Sequence, residues 1–146
     1  MNLVIDASVA LAWIFQRTKT SEAKAASAVL DMVAKAESTV PWLWHTEIAN
    51  ALLTAERRKL INEAQAIDYL ERLDHLPINT DDAPSASRRD RVMALGREYG
   101  LTAYDATYLD LALRRDAALA TFDGKLASAV ERAGGKLYPP IIGEAK

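Results

Sequence analysis

The sequence predicts an α/β fold in which a parallel β-sheet is flanked by helices on both faces. First, 146 residues is the length of a single domain that can bury a core of its own. Second, the apolar residues include 27 Ala and 18 Leu against 15 Val or Ile, which favours helices and argues against an all-β fold. Third, short apolar runs alternate with segments of helical periodicity, as in βα units. We expect one domain over residues 1–146.

Five short segments have the composition of strands. Leu3, Val4 and Ile5 form a continuous apolar run, which is typical of a strand buried on both faces of a parallel sheet. The second segment is closed by Pro41, which has no N–H to offer to a neighbouring strand. We predict strands over residues 3–5, 38–41, 76–79, 118–121 and 136–138.

The segments between these strands repeat their apolar residues at spacings of three and four, which predicts helices. Asn62 is a suitable N-cap for the fourth helix, and Gly100 is a suitable residue to end the fifth. The sixth is apolar on nearly every side, so we place it deep in the core. We predict helices over residues 9–15, 22–35, 44–60, 63–75, 88–99, 103–115 and 124–132.

The composition excludes several kinds of site. The chain has no cysteine, so it has no disulfide, zinc ribbon or thiol nucleophile, and His45 and His75 are too few for a histidine metal cage. Eighteen Lys and Arg against 20 Asp and Glu give a net charge of −2, which argues against a free-standing nucleic-acid binder.

The sequence predicts neither a membrane span nor a signal peptide. No apolar run approaches the roughly 18 residues that a span needs. The first residues lack a basic region, and Asp6 interrupts their apolar stretch. We expect a cytoplasmic protein with no membrane partner.

Four acidic residues have no obvious local partner. Asp6 directly follows the first predicted strand, and Asp123 follows the fourth. Glu47 and Asp105 lie on helices with apolar neighbours and no cation at helical spacing. Because sites in α/β sheets form at the carboxyl ends of strands, beside the switch in strand order, we expect Asp6 and Asp123 to face each other. Unpaired carboxylates on mostly buried helices are costly, so we expect Glu47 and Asp105 to share a divalent cation with other acids. By contrast, Asp110 and Arg114 have the spacing of a solvated ion pair.

Each of the four acids also has a structural explanation. Asp6 and Asp123 could cap the helices that follow them, and Glu47 could lie at the polar edge of its helix. Thr102 and Asp105 have the spacing of a capping box. As a group, however, the acids offer only oxygen ligands, which suit Mg²⁺ or Mn²⁺ and metal-assisted phosphodiester hydrolysis.

Four blocks of sequence carry a resemblance to a known family. They are Leu3-Val4-Ile5-Asp6-Ala7-Ser8, Glu47-x-x-Asn50, Leu101-Thr102-Ala103-Tyr104-Asp105-Ala106 and Leu119-Ala120-Thr121-x-Asp123-x-x-Leu126. In this order and spacing they resemble the blocks of PIN-domain ribonucleases, and more closely the toxins of VapBC-type toxin–antitoxin pairs. The resemblance implies a PIN-like, Rossmann-like sheet of order 3-2-1-4-5. It also implies RNA cleavage with Mg²⁺ or Mn²⁺, a homodimer, and a small antitoxin that blocks the site.

The resemblance also implies a role for each matching residue. Asp6, Glu47, Asp105 and Asp123 correspond to the catalytic acids. Asp6 and Asp105 would be direct metal ligands, Asp123 would bind the metal directly or through water, and Glu47 would orient water.

Three further residues match supporting positions. Ser8 and Thr121 match hydroxyl positions that support the acids, and Asn50 lies one turn from Glu47.

Two other groups of residues have less specific interpretations. Basic clusters at 57–59, 88–91 and 114–115 could contact RNA or could be solvated helix ends. The aromatic residues are expected in the core because their neighbours are apolar; these are Trp13, Trp42, Trp44, Tyr104 and Tyr108.

Two alternative functions remain open at this stage. A phosphatase with Asp6 as nucleophile usually needs a second carboxylate two residues later, where this chain has Ser8. A non-catalytic interaction module with the same fold would not need four unpaired acids.

Overall fold

The computed structural model describes residues 1–15 and 17–140, and it contains the expected parallel sheet. Five strands lie in the order β3-β2-β1-β4-β5, and every neighbouring pair is parallel. The strands are β1 (Asn2–Ile5), β2 (Glu37–Val40), β3 (Ile78–Thr80), β4 (Ala118–Ala120) and β5 (Lys136–Leu137). The predicted fold class and strand order are confirmed.

The central strand is the one with the continuous apolar run. Leu3, Val4 and Ile5 of β1 have no exposed surface, because helices cover both faces of the sheet. By contrast, β3 begins two residues later than predicted. Leu76 N donates to Leu73 O at the end of the preceding helix, and Pro77 has no N–H for the sheet.

Seven helices occupy the described residues between the strands. They are α1 (Ala7–Leu11), α2 (Thr20–Val33), α3 (Trp42–Arg57), α4 (Glu63–Asp74), α5 (Ser85–Tyr99), α6 (Ala103–Arg114) and α7 (Gly124–Arg132). Asn62 caps α4 through a complete capping box with Gln65, and Gly100 ends α5 in the left-handed conformation, both as predicted. Within the described part of the chain, no helix is both long and apolar enough to cross a membrane.

The boundaries of two helices were predicted poorly. The first was expected at residues 9–15, but α1 begins directly after Asp6, whose carbonyl accepts the N–H groups of Val9 and Ala10. The third was expected to reach residue 60, but α3 ends at Arg57 because Lys59 adopts a left-handed conformation, with φ of 60°.

The helix α6 lies in the core as predicted, but the expectation for two aromatic residues was wrong. Trp44 and Tyr108 are buried, whereas Trp42 and Tyr104 are 66% and 64% exposed. Trp42 lies two residues before Trp44, about 200° around the helix from the buried stripe of α3. Tyr104 lies on the first turn of α6, which is largely exposed.

The expectation of a solvated pair at Asp110 was also wrong. Asp110 is buried and accepts hydrogen bonds from Arg88 on α5 and Arg114 on α6. Arg114 and Arg115 also bind the buried Asp81, which follows β3. Burial opposes ionisation of Asp81, but these guanidinium hydrogen bonds outweigh it and hold the pKa of Asp81 below its ordinary value. This network joins β3, α5 and α6.

Candidate active site at the carboxyl edge of the sheet

The topology brings the four predicted acids to one edge of the sheet. Asp6 directly follows β1 and Asp123 follows β4, and these two strands flank the switch in strand order. Glu47 lies on α3, which begins at the end of β2. Asp105 lies on the first turn of α6, a helix about 18 Å long that runs from this edge to the start of β4.

Asp6 is the most enclosed of the four, with 7% of its surface exposed. It holds the N-cap position of α1, but its side chain makes no capping hydrogen bond. Its Oδ2 accepts hydrogen bonds from Ser8 Oγ and Thr121 Oγ1, both at 2.7 Å. The capping alternative therefore does not describe what this carboxylate does.

The two hydroxyls that bind Asp6 are held by the backbone after β4. Phe122 N donates to Ser8 Oγ at 3.2 Å, and Asp123 N donates to Thr121 Oγ1 at 3.0 Å. Because each hydroxyl oxygen accepts a backbone N–H, its own hydrogen is directed to Asp6. Ser8 and Thr121 thus join the turns after β1 and β4.

Glu47 is held by a residue that sequence reasoning assigned only to the core. Tyr108 has no exposed surface, yet its hydroxyl donates to Glu47 Oε1 at 2.6 Å. The same hydroxyl accepts a long hydrogen bond of 3.4 Å from Ala7 N, beside Asp6. The spacing of Asp105 and Tyr108, three residues apart on α6, was the available signal, because it places both on one face of the helix.

Asp105 and Asp123 form the exposed side of the cluster. Asp105 N donates to Thr102 Oγ1 at 3.2 Å, which gives one half of the capping interaction expected there. Asp123 caps α7, with its Oδ1 accepting from Lys125 N and Leu126 N. The capping explanation is therefore correct for Asp123, and its carboxylate also lies within hydrogen-bonding reach of Asp105.

Three of the acids have raised pKa values. Burial, together with the charges of Asp123 and Asp6, raises the pKa of Asp105 to about 6. Burial also raises the pKa of Asp6, against the opposing hydrogen bonds from its two hydroxyls, and Asp123 raises it further.

Glu47 follows the same pattern. Burial raises its pKa, the Tyr108 hydrogen bond opposes the increase, and the charges of Asp6 and Asp105 add to it. The cluster therefore concentrates negative charge in a partly desolvated place.

The donor set fits a divalent cation. In residues 1–15 and 17–140, no three histidine or acidic side chains stand in an arrangement that would hold a metal ion without adjustment. The raised pKa values of Asp6, Glu47 and Asp105 nevertheless indicate that burial and repulsion outweigh the hydrogen bonds and the Lys125 charge that favour ionisation. An oxygen-only set of this kind suits Mg²⁺ or Mn²⁺. Asp6 and Asp105 could hold the ion with Asp123.

Other residues from the sequence prediction lie outside this group. Asn50 is exposed on α3, and its side chain forms no hydrogen bond with the described residues. Two of the three basic clusters provide Arg88, Arg114 and Arg115 to the buried network around Asp81 and Asp110. The remaining cluster, at 57–59, begins at the last residue of α3, about 15 Å along that helix from Glu47.

Comparison with known proteins identifies the family to which this fold belongs. The chain is similar to the crystal structure of PAE2754 from Pyrobaculum aerophilum, with a TM-score of 0.67 and 22% identity, over 99% of this chain and 88% of that one. A search of curated proteins found no match. The PIN domain family matches residues 3–131, a range that includes all four acids. PIN domains are generally nucleases and usually use divalent metal ions. The chain belongs to the PIN domain family.

Proposed function

We propose that this protein is a Mg²⁺- or Mn²⁺-dependent endoribonuclease and that it acts in the cytoplasm as the toxin of a toxin–antitoxin pair. The observation that carries the proposal is the convergence of Asp6, Glu47, Asp105 and Asp123 at the switch point of the sheet. A purely structural role would not require several partly buried carboxylates to face one another, because each costs free energy when it is charged.

Each residue has a distinct task in this proposal. Asp6 and Asp105 hold the cation, with Asp123 binding it directly or through water. When bound, the cation supplies Lewis-acid activation of the phosphodiester and of water. Glu47 orients the attacking water, and Tyr108 fixes the Glu47 carboxylate through its hydrogen bond.

The hydroxyl groups keep Asp6 in position. Ser8 and Thr121 donate to the same oxygen, Oδ2, so neither occupies Oδ1. Ser8 is therefore a support for Asp6 at the position where an aspartate-nucleophile phosphatase usually has its second carboxylate.

A surface cleft beside α4 is a candidate binding place for the antitoxin. We expected the segment after Ser8 and the apolar pair Leu52 and Leu53 on α3 to help form a groove for an antitoxin; Leu52 is buried in the core, whereas Leu53 is 52% exposed. A cleft of about 480 Å³ lies between the turn after α1, with Trp13 and Ile14, and α4, with Tyr69 and Arg72. We propose that an antitoxin segment binds there and extends a basic side chain to the acids. The homodimer is proposed from the resemblance to toxins of this kind.

The first prediction concerns catalysis. Asp105→Asn keeps the volume of the side chain but removes the charge that would bind the cation. We expect at least about a 100-fold loss of Mg²⁺-dependent RNA cleavage with the fold retained. The measurement is cleavage of a labelled RNA in Mg²⁺ by purified protein, with circular dichroism to check folding.

The matched control is Asp68→Asn. Asp68 is an exposed acid on α4 that pairs with Arg72, and its replacement makes the same chemical change away from the cluster. We expect Asp68→Asn to cleave like the unmodified protein. Full cleavage by a folded Asp105→Asn protein would contradict the site assignment.

The second prediction concerns the partner. Co-expression with a neighbouring small reading frame should give a stable complex in which RNA cleavage is suppressed, because the bound segment would cover the acids. Ile14→Glu in the cleft should weaken the complex, whereas Met93→Glu on the exposed surface of α5 should not. A neighbour that neither co-purifies nor inhibits would contradict the toxin role without affecting the nuclease proposal.

The third prediction concerns pH in the presence of chelator. Between the ordinary pKa of 3.8 and the folded value of about 6 for Asp105, the native state binds more protons than the unfolded chain. Stability from this group is therefore present below that window and is lost as the pH rises through it. Asp105→Asn lacks this titration, so its free energy of unfolding relative to that of the unmodified protein should rise between about pH 4 and pH 6. Urea unfolding at a series of pH values measures the difference.

The effect of Mg²⁺ on stability at neutral pH is a complementary test. An ion that binds the native cluster and not the unfolded chain raises stability by mass action. We expect millimolar Mg²⁺ to raise the melting temperature of the unmodified protein and to raise that of Asp105→Asn much less. Equal responses of the two proteins, or none, would show that this carboxylate does not hold the ion.

A further inference from the structure

An exposed aromatic ring lies beside the acid cluster. Tyr104 immediately precedes Asp105 on the first turn of α6, and the Cα atoms of neighbouring residues are about 3.8 Å apart. Tyr104 also lies four residues before Tyr108, whose hydroxyl binds Glu47, so it is one turn farther out on the same face of the helix. The ring is thus at the rim of the candidate active site.

The Tyr104 ring has no evident structural role in the fold. Tyr104 is 64% exposed, and across the described ranges its hydroxyl takes part in no hydrogen bond and its ring in no aromatic or cation–π pair. Single exposed apolar residues are common on protein surfaces, so exposure alone decides nothing. The position next to Asp105 distinguishes Tyr104 from other exposed apolar residues, such as Leu60 in the turn after α3.

A cation lies on the other side of the same rim. Lys125 is exposed on the first turn of α7, and its backbone N–H is bound by Asp123 Oδ1. Its ammonium group is close enough to Asp105 to oppose the increase in the pKa of that carboxyl. It nevertheless forms no ion pair within 4.0 Å in the part of the chain that the structure describes.

Several cations on other elements already have partners. Arg17 lies over the Phe122 ring and pairs with Glu22. Arg88, Arg114 and Arg115 are neutralised by buried aspartates. Lys125 therefore remains available for an anionic ligand beside the acids.

We propose that Tyr104 and Lys125 form a subsite for single-stranded RNA, in which the Tyr104 ring stacks on one base and the Lys125 ammonium contacts one phosphate. An exposed aromatic ring with an adjacent cation matches the two groups that a single strand presents, whereas a duplex keeps the faces of its bases stacked. This subsite rests on the proposed ribonuclease function and gives it a preference for unpaired RNA. Stacking tolerates any base, so the subsite positions the strand without reading its sequence.

The test measures binding separately from cleavage. The probe is a labelled single-stranded RNA of about 12 nucleotides, a length within the range of known single-strand binding sites. The protein is titrated into this RNA in the presence of Ca²⁺, and binding is followed by fluorescence anisotropy. The variants are Tyr104→Ala, Tyr104→Phe and Lys125→Gln. Leu60→Ala is the matched control, because Leu60 is 68% exposed and lies in the turn after α3.

The expected results differ for each variant. Tyr104→Ala should raise Kd roughly tenfold, as for the loss of one stacked base, and Tyr104→Phe should bind like the unmodified protein. Lys125→Gln should reduce the slope of log K against log salt by about 0.7, the value for one phosphate contact on a single strand. Leu60→Ala should change neither quantity.

A strand without bases provides a second readout that a structural role would not affect. The unmodified protein should bind this strand more weakly than the normal one, and Tyr104→Ala should cause no further loss.

If the unmodified protein binds RNA and Tyr104→Ala binds equally well, the stacking subsite is wrong and the nuclease proposal stands. If Tyr104→Ala changes only the oligomeric state, the ring belongs to a protein interface and the proposal is overturned. If the unmodified protein neither binds nor cleaves RNA, the proposed function itself fails.

Discussion

The carboxylate of Asp6 is buried where the strand order reverses, and the rest of the candidate site depends on how it is held. Its Oδ2 accepts two hydroxyl hydrogen bonds, from the turn after β1 and from the turn after β4. Those hydroxyls are oriented by the N–H groups of Phe122 and Asp123. The two hydroxyl groups thus stabilise the buried charge of Asp6. The charges of the other acids repel it.

The remaining acids are arranged around Asp6 by helices that start or end at the carboxyl edge of the sheet. Glu47 is anchored by the buried Tyr108, and Asp105 lies one turn before that tyrosine on the same helix. Burial and repulsion raise the pKa values of Asp6, Glu47 and Asp105, which is the electrostatic condition that a divalent cation would relieve. The proposed nuclease site is therefore also a cluster of acids that costs free energy when no cation is bound.

Sequence reasoning succeeded where the determining contacts are local. Both ends of helix α7 were predicted correctly. Asp123 caps its first turn, and the apolar residues of the helix recur at helical spacing. The edge where the acids meet was also predictable, since strand ends and switch points follow from topology. Contacts between residues distant in the sequence were not predictable. Tyr108 and Glu47 are 61 residues apart, and Arg88 and Asp110 are 22 residues apart. Those pairs form only when the helices pack.

The most direct test of the central claim is to locate a cation by anomalous X-ray diffraction from crystals grown with Mn²⁺. The account predicts one strong peak within about 2–2.5 Å of carboxylate oxygens of Asp6 and Asp105, with Asp123 bound directly or through a water. No peak among these acids with Mn²⁺ in excess, or a peak only at acids elsewhere on the surface, would contradict the claim that the cluster is a metal site.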